Sequence, residues 1–298
     1  MLSAPDIFDR YEEVRARFPA AHPQAVTQEI SSLVDIADQA TAFVFDAFGV
    51  LNVGETLIEG ADRRLEQLRG LGCQIRILTN AASYDRAGAV AKFQNLGIAL
   101  QDDEIITSRD ATLECLSRGF SQGLWGAIAT AEDQLTDIGH DVLRLGDDPA
   151  QYDRVDGFLF LSAKDWNDAR QGLLAASLAR HDRPVMIANA DLVAPRDDGF
   201  SLEPGHFGHL LADNGARQVR FFGKPFGEVY DLVERSLYGV PPERIIMCGD
   251  TLHTDILGAA ARNWRTVLVT RDGLFAGYDT AGFCTQSGLH PDWRLPRI

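Results

Sequence analysis

Residues 43–51 read FVFDAFGVL. Three apolar residues lead into a single acid, Asp46, and Phe48 and Gly49 follow at once. A run this apolar, with no polar alternation, fits a short strand buried on both faces of a parallel sheet. An acid at the carboxyl end of such a strand stands where open α/β sheets bind ligands. An Asp after a strand is also a common helix N-cap. The reading of Asp46 therefore depends on what the other strands deliver.

Outward from this segment, strands and helices alternate. GADRRLEQLRG (60–70) has helical spacing, with Leu65 and Leu68 inward and Gly70 and Gly72 closing it. CQIRILTN (73–80) is the next strand and YDRAGAVAKFQNLG (84–97) the next helix. DEIITSRDATLECLSRG (103–119) gives a strand and a third helix. The middle of the chain adds the strands WGAIAT, GFLFLS and PVMIAN. VRFFGK, a helix at 226–238, RIIMCGD, a helix at 254–262 and TVLVT follow, and the last four of these resume the style of the first half. The order implies an α/β protein: a parallel-sheet core interrupted by a smaller α/β insert. The expected divisions are residues 25–120 and 213–298 for the core and 121–212 for the insert. IFDRYEEVRARF predicts a helix in an N-terminal extension, residues 1–24, with Pro19 and Pro23 interrupting it. Residues Thr27–Gln39 are expected to restart as a helix, with Thr27 as N-cap and Ile30, Leu33, Val34 and Ile36 on its apolar side.

The chain has 298 residues and a net charge of −15, and only Lys92, Lys164 and Lys224 are lysines. Such a field repels nucleic acid and anionic membranes, so neither is an expected partner. An anionic substrate would need a local cluster of donors or a metal ion. The four cysteines are scattered without ligand spacing and read as free thiols in a reducing compartment. No apolar run approaches the ~20 residues that span a bilayer, and the N-terminus lacks a signal-peptide pattern, so a cytoplasmic location is expected.

The strand ends supply the chemistry. One ends in Asp46, one in Thr79 and Asn80, one in Gly223 and Lys224, and one in Gly249 and Asp250, with Asp255 in the turn beyond. Taken singly, each suits a cap, a turn or a solvated surface. Together they form the set that phosphoryl transfer to a carboxylate needs, because that chemistry is mostly positioning and charge neutralisation.

Five segments now resemble one family. DAFGVLNVG (46–54), ILTNAAS (77–83), ANADLVAPRDDGFSLEPG (188–205), FGKP (222–225) and GDTLHTDILGA (249–259) follow the motif order of the haloacid dehalogenase (HAD) superfamily. More narrowly, they resemble its class IIA branch of NagD-like and p-nitrophenylphosphatase-like proteins. The resemblance implies a Rossmann-like core with an inserted C2-type α/β cap at 121–212. It implies a Mg²⁺-dependent phosphatase acting on a small phosphorylated metabolite. It also allows a homodimer through the cap. Asp46 would be the nucleophile. Thr79, with Asn80 and Ala81, would hold phosphate oxygens, and Lys224 would neutralise the phosphate and Asp46. Asp46, the Phe48 carbonyl, Asp250 and Asp255 would form the metal site. Gly49 would let the backbone turn closely past the phosphate. Asn189, Asp191 and Arg196, in a cap loop, would face the substrate.

Position 48 departs from the pattern. The family's phosphatases hold a second Asp there, whose side chain protonates the leaving oxygen and later activates water. Phe48 keeps the carbonyl and loses the carboxylate, a deficit of roughly 10²–10⁴-fold in rate. His253, His206 and His209 are the candidate replacements. The alternatives are a catalytically weak binding or regulatory protein, a metal-independent 2-haloacid dehalogenase, or an imine route through Lys164. The retained Asp250 and Asp255, and Val50 in place of Thr, set the chain apart from the dehalogenases.

Overall fold

The computed structural model describes residues 3–21, 26–119, 123–196 and 199–298. The opening segment forms the strand Ala42–Phe45, buried at every position. Phe43 and Phe45 pack with Leu33, Leu65 and Val267, whereas Ala42 and Val44 pack with Tyr230, Val233 and Met247. Successive side chains point to opposite faces, and both faces are covered, so the strand carries no polar residue until it ends. Seven parallel strands form the larger sheet, in the order Gln28–Glu29, Trp293–Leu295, Arg265–Val269, Ile245–Gly249, Ala42–Phe45, Gln74–Thr79, Ile105–Thr107. Ala42–Phe45 lies between Ile245–Gly249 and Gln74–Thr79, so Asp46, Asp250 and Thr79 emerge side by side at one sheet edge.

A second sheet has five parallel strands, in the order Val219–Phe221, Val185–Ile187, Gly157–Phe160, Leu124–Ile128, Asp141–Arg144. Its own core joins Phe158, Phe160, Leu174, Ile187 and Phe207. The architecture is thus the expected α/β core with a smaller α/β unit. No helix among the described residues is long and apolar enough to cross a membrane.

Several elements differ from expectation. VRFFGK was expected in the second core segment, yet Val219–Phe221 pairs with Val185–Ile187 in the smaller sheet. Only after Gly223 does the chain return to the larger sheet's edge. Residues 27–39 are not one helix. Gln28–Glu29 pairs with Trp293–Arg294, and a 3₁₀ turn covers Leu33–Gln39. Its N-cap is Ser32, in a reciprocal capping box with Asp35, rather than Thr27. Leu33 and Ile36 are its buried residues, three apart, which is the 3₁₀ period. The strand Asp141–Arg144 and the antiparallel hairpin Val193–Arg196/Gly199–Leu202 were not anticipated. The first is partly exposed and the second contains Pro195, so neither shows the usual strand pattern. Pro23 and the divisions at 24/25 and 120/121 lie outside the described residues.

The N-terminal helix, Ala4–Val14, starts on a Ser3–Asp6 capping box and is an integral part of the fold. Ile7, Phe8, Tyr11 and Val14 pack against Leu252, Ile256 and Leu257 of the larger unit and against Leu192 and Val193. Arg10 and Arg17 both pair with Asp213, on the helix Pro204–Asp213 that covers the smaller sheet.

Candidate active site

Asp46 leaves its strand with its backbone N–H still bonded to Cys248 O, at 2.9 Å. Its Oδ1 accepts the Ala47 N–H at 2.7 Å and lies 2.5 Å from Lys224 Nζ. Its Oδ2 accepts no hydrogen bond among the described residues. Lys224 Nζ is also 2.7 Å from Asp255 Oδ1, and both of those side chains are fully enclosed. Burial by itself would lower the Lys224 pKa. Asp255 and Asp46 outweigh it, and the pKa is raised, so this lysine is a fixed cation.

Asp250 follows its strand directly. Its Oδ1 accepts the Thr251 hydroxyl at 2.9 Å and its Oδ2 accepts the Leu274 N–H at 2.7 Å. Asp255 sits in a π-helical turn, Leu252–Ile256, and not in the regular helix expected from 254 onward; the α-helix begins at Leu257. The turn brings the Asp255 carboxylate back to its own start, where Oδ2 accepts the Thr251 N–H at 3.0 Å. Burial raises the pKa of both acids and Asp46 raises it further; Asp255 also raises that of Asp250, whereas Lys224 opposes the rise at Asp255. Asp46, Asp250 and Asp255 each bring one carboxylate oxygen within 4.8 Å of the others. Hard oxygen donors crowded in this way, with part of their charge uncompensated, suit a small divalent cation.

Gly49 is pressed against Asp250 and Gly273. Its φ is +76°, and a Cβ there would stand 2.5 Å from Asp250 Oδ2 and 2.6 Å from Gly273 Cα. The glycine thus lets the loop after Asp46 close on the acid pair.

Asn80 is the bracket of the site. Its Nδ2 donates to Asp191 Oδ1 at 2.8 Å and to Lys224 O at 2.9 Å, and its Oδ1 accepts the Lys224 N–H at 2.6 Å. Its side chain therefore positions Lys224 and Asp191, and only its backbone is left for a ligand. Thr79 Oγ1 accepts the Ala81 N–H at 3.2 Å. Asn189 donates to Glu203 Oε2 at 3.2 Å and accepts the Asp191 N–H at 2.9 Å. Burial pushes the Asp191 pKa well up, Lys224 opposes this, and Asp46 adds to it. A cavity of about 920 Å³ is lined by Asp46, Phe48, Thr79, Asn80, Ala81, Asn189, Asp191, Arg196 and Asp250, among others. The residues expected to meet substrate thus share one space, except Lys224, which stands behind Asp46 and is not part of the lining.

Comparison with known proteins gives this arrangement a family. A model described as haloacid dehalogenase-like hydrolase matches residues 43–139, and a HAD-hydrolase-like model matches residues 221–281. Together they span more than half of the chain, including Asp46, Thr79, Lys224, Asp250 and Asp255. The chain belongs to the haloacid dehalogenase-like hydrolases. Among curated relatives, this hydrolase is 28% identical to chronophin of Mus musculus, covering 90% of this chain and 94% of the relative. It is 27% identical to glycerol-3-phosphate phosphatase of Homo sapiens, covering 85% and 82%. Its fold matches that of 4-nitrophenylphosphatase from Thermotoga maritima with a TM-score of 0.70 and 22% identity, covering 88% of this chain and 96% of that one.

The histidines proposed to replace the missing acid stand elsewhere in this hydrolase. His253 does not line the cavity. It is fully buried, its Nε2 lies 2.5 Å from Glu12 Oε1, and its ring stacks on Tyr11 at 4.9 Å. It fastens the N-terminal helix to the turn that carries Asp255. His209 stacks on Phe221 at 4.2 Å, with Arg17 at 3.0 Å from its Nδ1, and neither it nor His206 lines the cavity. Lys164 lines the cavity but is two-thirds exposed and lies 3.8 Å from Glu132.

Sequence reasoning missed Lys92. It lies on the helix Arg86–Asn95, is 8% exposed, and places Nζ 3.8 Å from the centroid of the Phe48 ring. The Arg196 guanidinium lies 5.0 Å from the same centroid. The signal was present. Ala89, Lys92 and Phe93 are three and four residues apart and form the buried side of that helix, so the lysine falls in the apolar stripe.

Proposed function

We propose that this hydrolase is a phosphatase that cleaves phosphate monoesters of small metabolites, with Asp46 as nucleophile and Mg²⁺ as cofactor. The observation that carries the reading is Lys224 Nζ held between Asp46 and Asp255, with Asp250 and the other two acids in one carboxylate cluster. The curated relatives support it, since one is named for phosphatase action on a glycerol phosphate.

Asp46 Oδ2, free of hydrogen bonds among the described residues, attacks phosphorus and displaces the alcohol, giving an aspartyl-phosphate. Lys224 screens the carboxylate from the incoming phosphate, and Thr79 with the backbone after it supports the phosphoryl oxygens. Water then cleaves the acyl phosphate and releases inorganic phosphate, restoring Asp46. Asp46, the Phe48 carbonyl, Asp250 and Asp255 would hold the metal ion, which supplies charge neutralisation at the phosphoryl group. Since none of the three histidines lines the cavity, none of them is placed to protonate the leaving oxygen.

The test is turnover of p-nitrophenyl phosphate and a panel of phosphorylated metabolites, with and without Mg²⁺, by wild type and Asp46→Asn. Mg²⁺-dependent phosphate release that Asp46→Asn abolishes is expected. No hydrolysis by the wild type under any condition rejects the reading in favour of a binding protein. Metal-independent halide release from a 2-haloacid rejects it in favour of a dehalogenase.

A further inference from the structure

Lys92 is a buried cation without a counter-ion. Among the described residues no carboxylate oxygen lies within 4.0 Å of its Nζ and no hydrogen bond reaches it. Glu55, on an exposed turn, is the largest influence that favours its charge, and it remains beyond that distance. Enclosing an unpaired ammonium is costly, and the face of the Phe48 ring offsets only part of that cost.

Arg196 approaches the same ring from the hairpin Val193–Arg196/Gly199–Leu202. It donates to Ser201 Oγ at 2.9 Å and to Glu203 Oε1 at 3.2 Å. Glu203 thereby offsets Arg196, and Lys92 is left without a direct partner at this side of the cavity, since Glu55 acts on it only from beyond ion-pair distance. At Asp46 the cation is already Lys224. The second cationic position therefore serves a second negative charge. One cation without a direct ion pair matches a monoanion better than a dianion, and Arg196 offers a planar fork suited to a carboxylate.

We propose that Lys92 and Arg196, gathered on the Phe48 ring, bind a carboxylate on the leaving-group part of the substrate, so that the preferred substrates are phosphorylated carboxylic acids. This deepens the phosphatase reading and rests on it. Phe48 then has a positive function: its ring holds the two cations apart from the acid cluster at a place where an Asp would neutralise one of them.

The experiment compares kcat/KM for 3-phosphoglycerate and glycerol 3-phosphate, which differ in the carboxylate, with p-nitrophenyl phosphate as the measure of phosphatase activity itself. The wild type should favour 3-phosphoglycerate by about tenfold or more, the scale of one charge-assisted contact. Lys92→Met and, independently, Arg196→Gln should bring the ratio close to one, mainly by raising KM for 3-phosphoglycerate. A wild type that hydrolyses p-nitrophenyl phosphate but treats the two esters alike, or prefers glycerol 3-phosphate, overturns the proposal and leaves the phosphatase reading standing. So does an equal loss on both esters in Lys92→Met, which would place Lys92 at the transferred phosphate. A wild type that hydrolyses no phosphate ester removes both.

Discussion

Lys224 Nζ stands 2.5 Å from Asp46 Oδ1, and the same ammonium reaches Asp255 at 2.7 Å. One cation therefore faces the nucleophile and an acid of the metal cluster together and offsets one of their two charges. It also makes the cluster compatible with folding, since Asp250 and Asp255 are enclosed, burial and Asp46 push both pKa values upward, and Lys224 opposes this at Asp255.

Replacing Lys224 with Met should abolish turnover and destabilise the protein. Removing one partner of a buried ion pair costs about 3–5 kcal/mol, because the remaining charges stay enclosed. Urea unfolding monitored by circular dichroism checks this. An unchanged midpoint would show that Asp46 and Asp255 do not depend on the lysine.

The acid cluster should take up Mg²⁺ in the resting protein. Binding to the folded state alone stabilises by about 2.7 kcal/mol at one hundred times Kd. A rise in Tm on titration with MgCl2 is expected, with NaCl at matched ionic strength as control. Asp250→Asn should remove most of that rise. A shift that persists in this variant would place the ion elsewhere.

Phe48→Asp restores the carboxylate that proton transfer ordinarily uses. Turnover of alkyl phosphates, whose leaving oxygen needs a proton, should increase by roughly 10²–10⁴-fold. Turnover of p-nitrophenyl phosphate should change far less, because nitrophenolate leaves unprotonated. Equal effects on both esters would mean that proton transfer is not the deficit. The new Asp would also pair with Lys92, so the same variant should lose its preference for a carboxylate in the substrate.

His209 should make the protein less stable in mild acid. Burial lowers its pKa to about 3, with Arg17, Arg10 and His206 also lowering it and Asp213 opposing. Between about pH 6.5 and that value the unfolded chain binds a proton that the folded chain refuses, so stability falls as pH falls. The contribution is fully present above the unfolded value and is lost toward the folded one. The limiting slope is about 1.4 kcal/mol per pH unit. Comparing urea midpoints of wild type and His209→Gln from pH 7 to pH 4 isolates it: the two curves should converge or cross in acid. Parallel curves would contradict the assignment.

What the sequence by itself determined is the part of the site that follows from strand ends. Apolar runs of four to six residues identify buried strands, and the polar residue that ends each one is delivered to the sheet edge by geometry alone. Asp46, Thr79 and Asp250 are fixed in this way, and motif spacing adds Lys224 and Asp255. Tertiary structure decided whatever depends on contacts between distant segments. His253 looks like a loop residue near the acids, and only packing against Glu12, 241 residues away, turns it into an anchor for the N-terminal helix. Val219–Phe221 has no local signal for one sheet over another; hydrogen bonding to Val185–Ile187 assigns it. Phe48 reads in the sequence as the loss of an acid. In the fold its ring meets Lys92 from one helix and Arg196 from a hairpin over one hundred residues later. Charge pairing and burial are properties of three-dimensional neighbourhoods, and no periodicity in the chain encodes who those neighbours are.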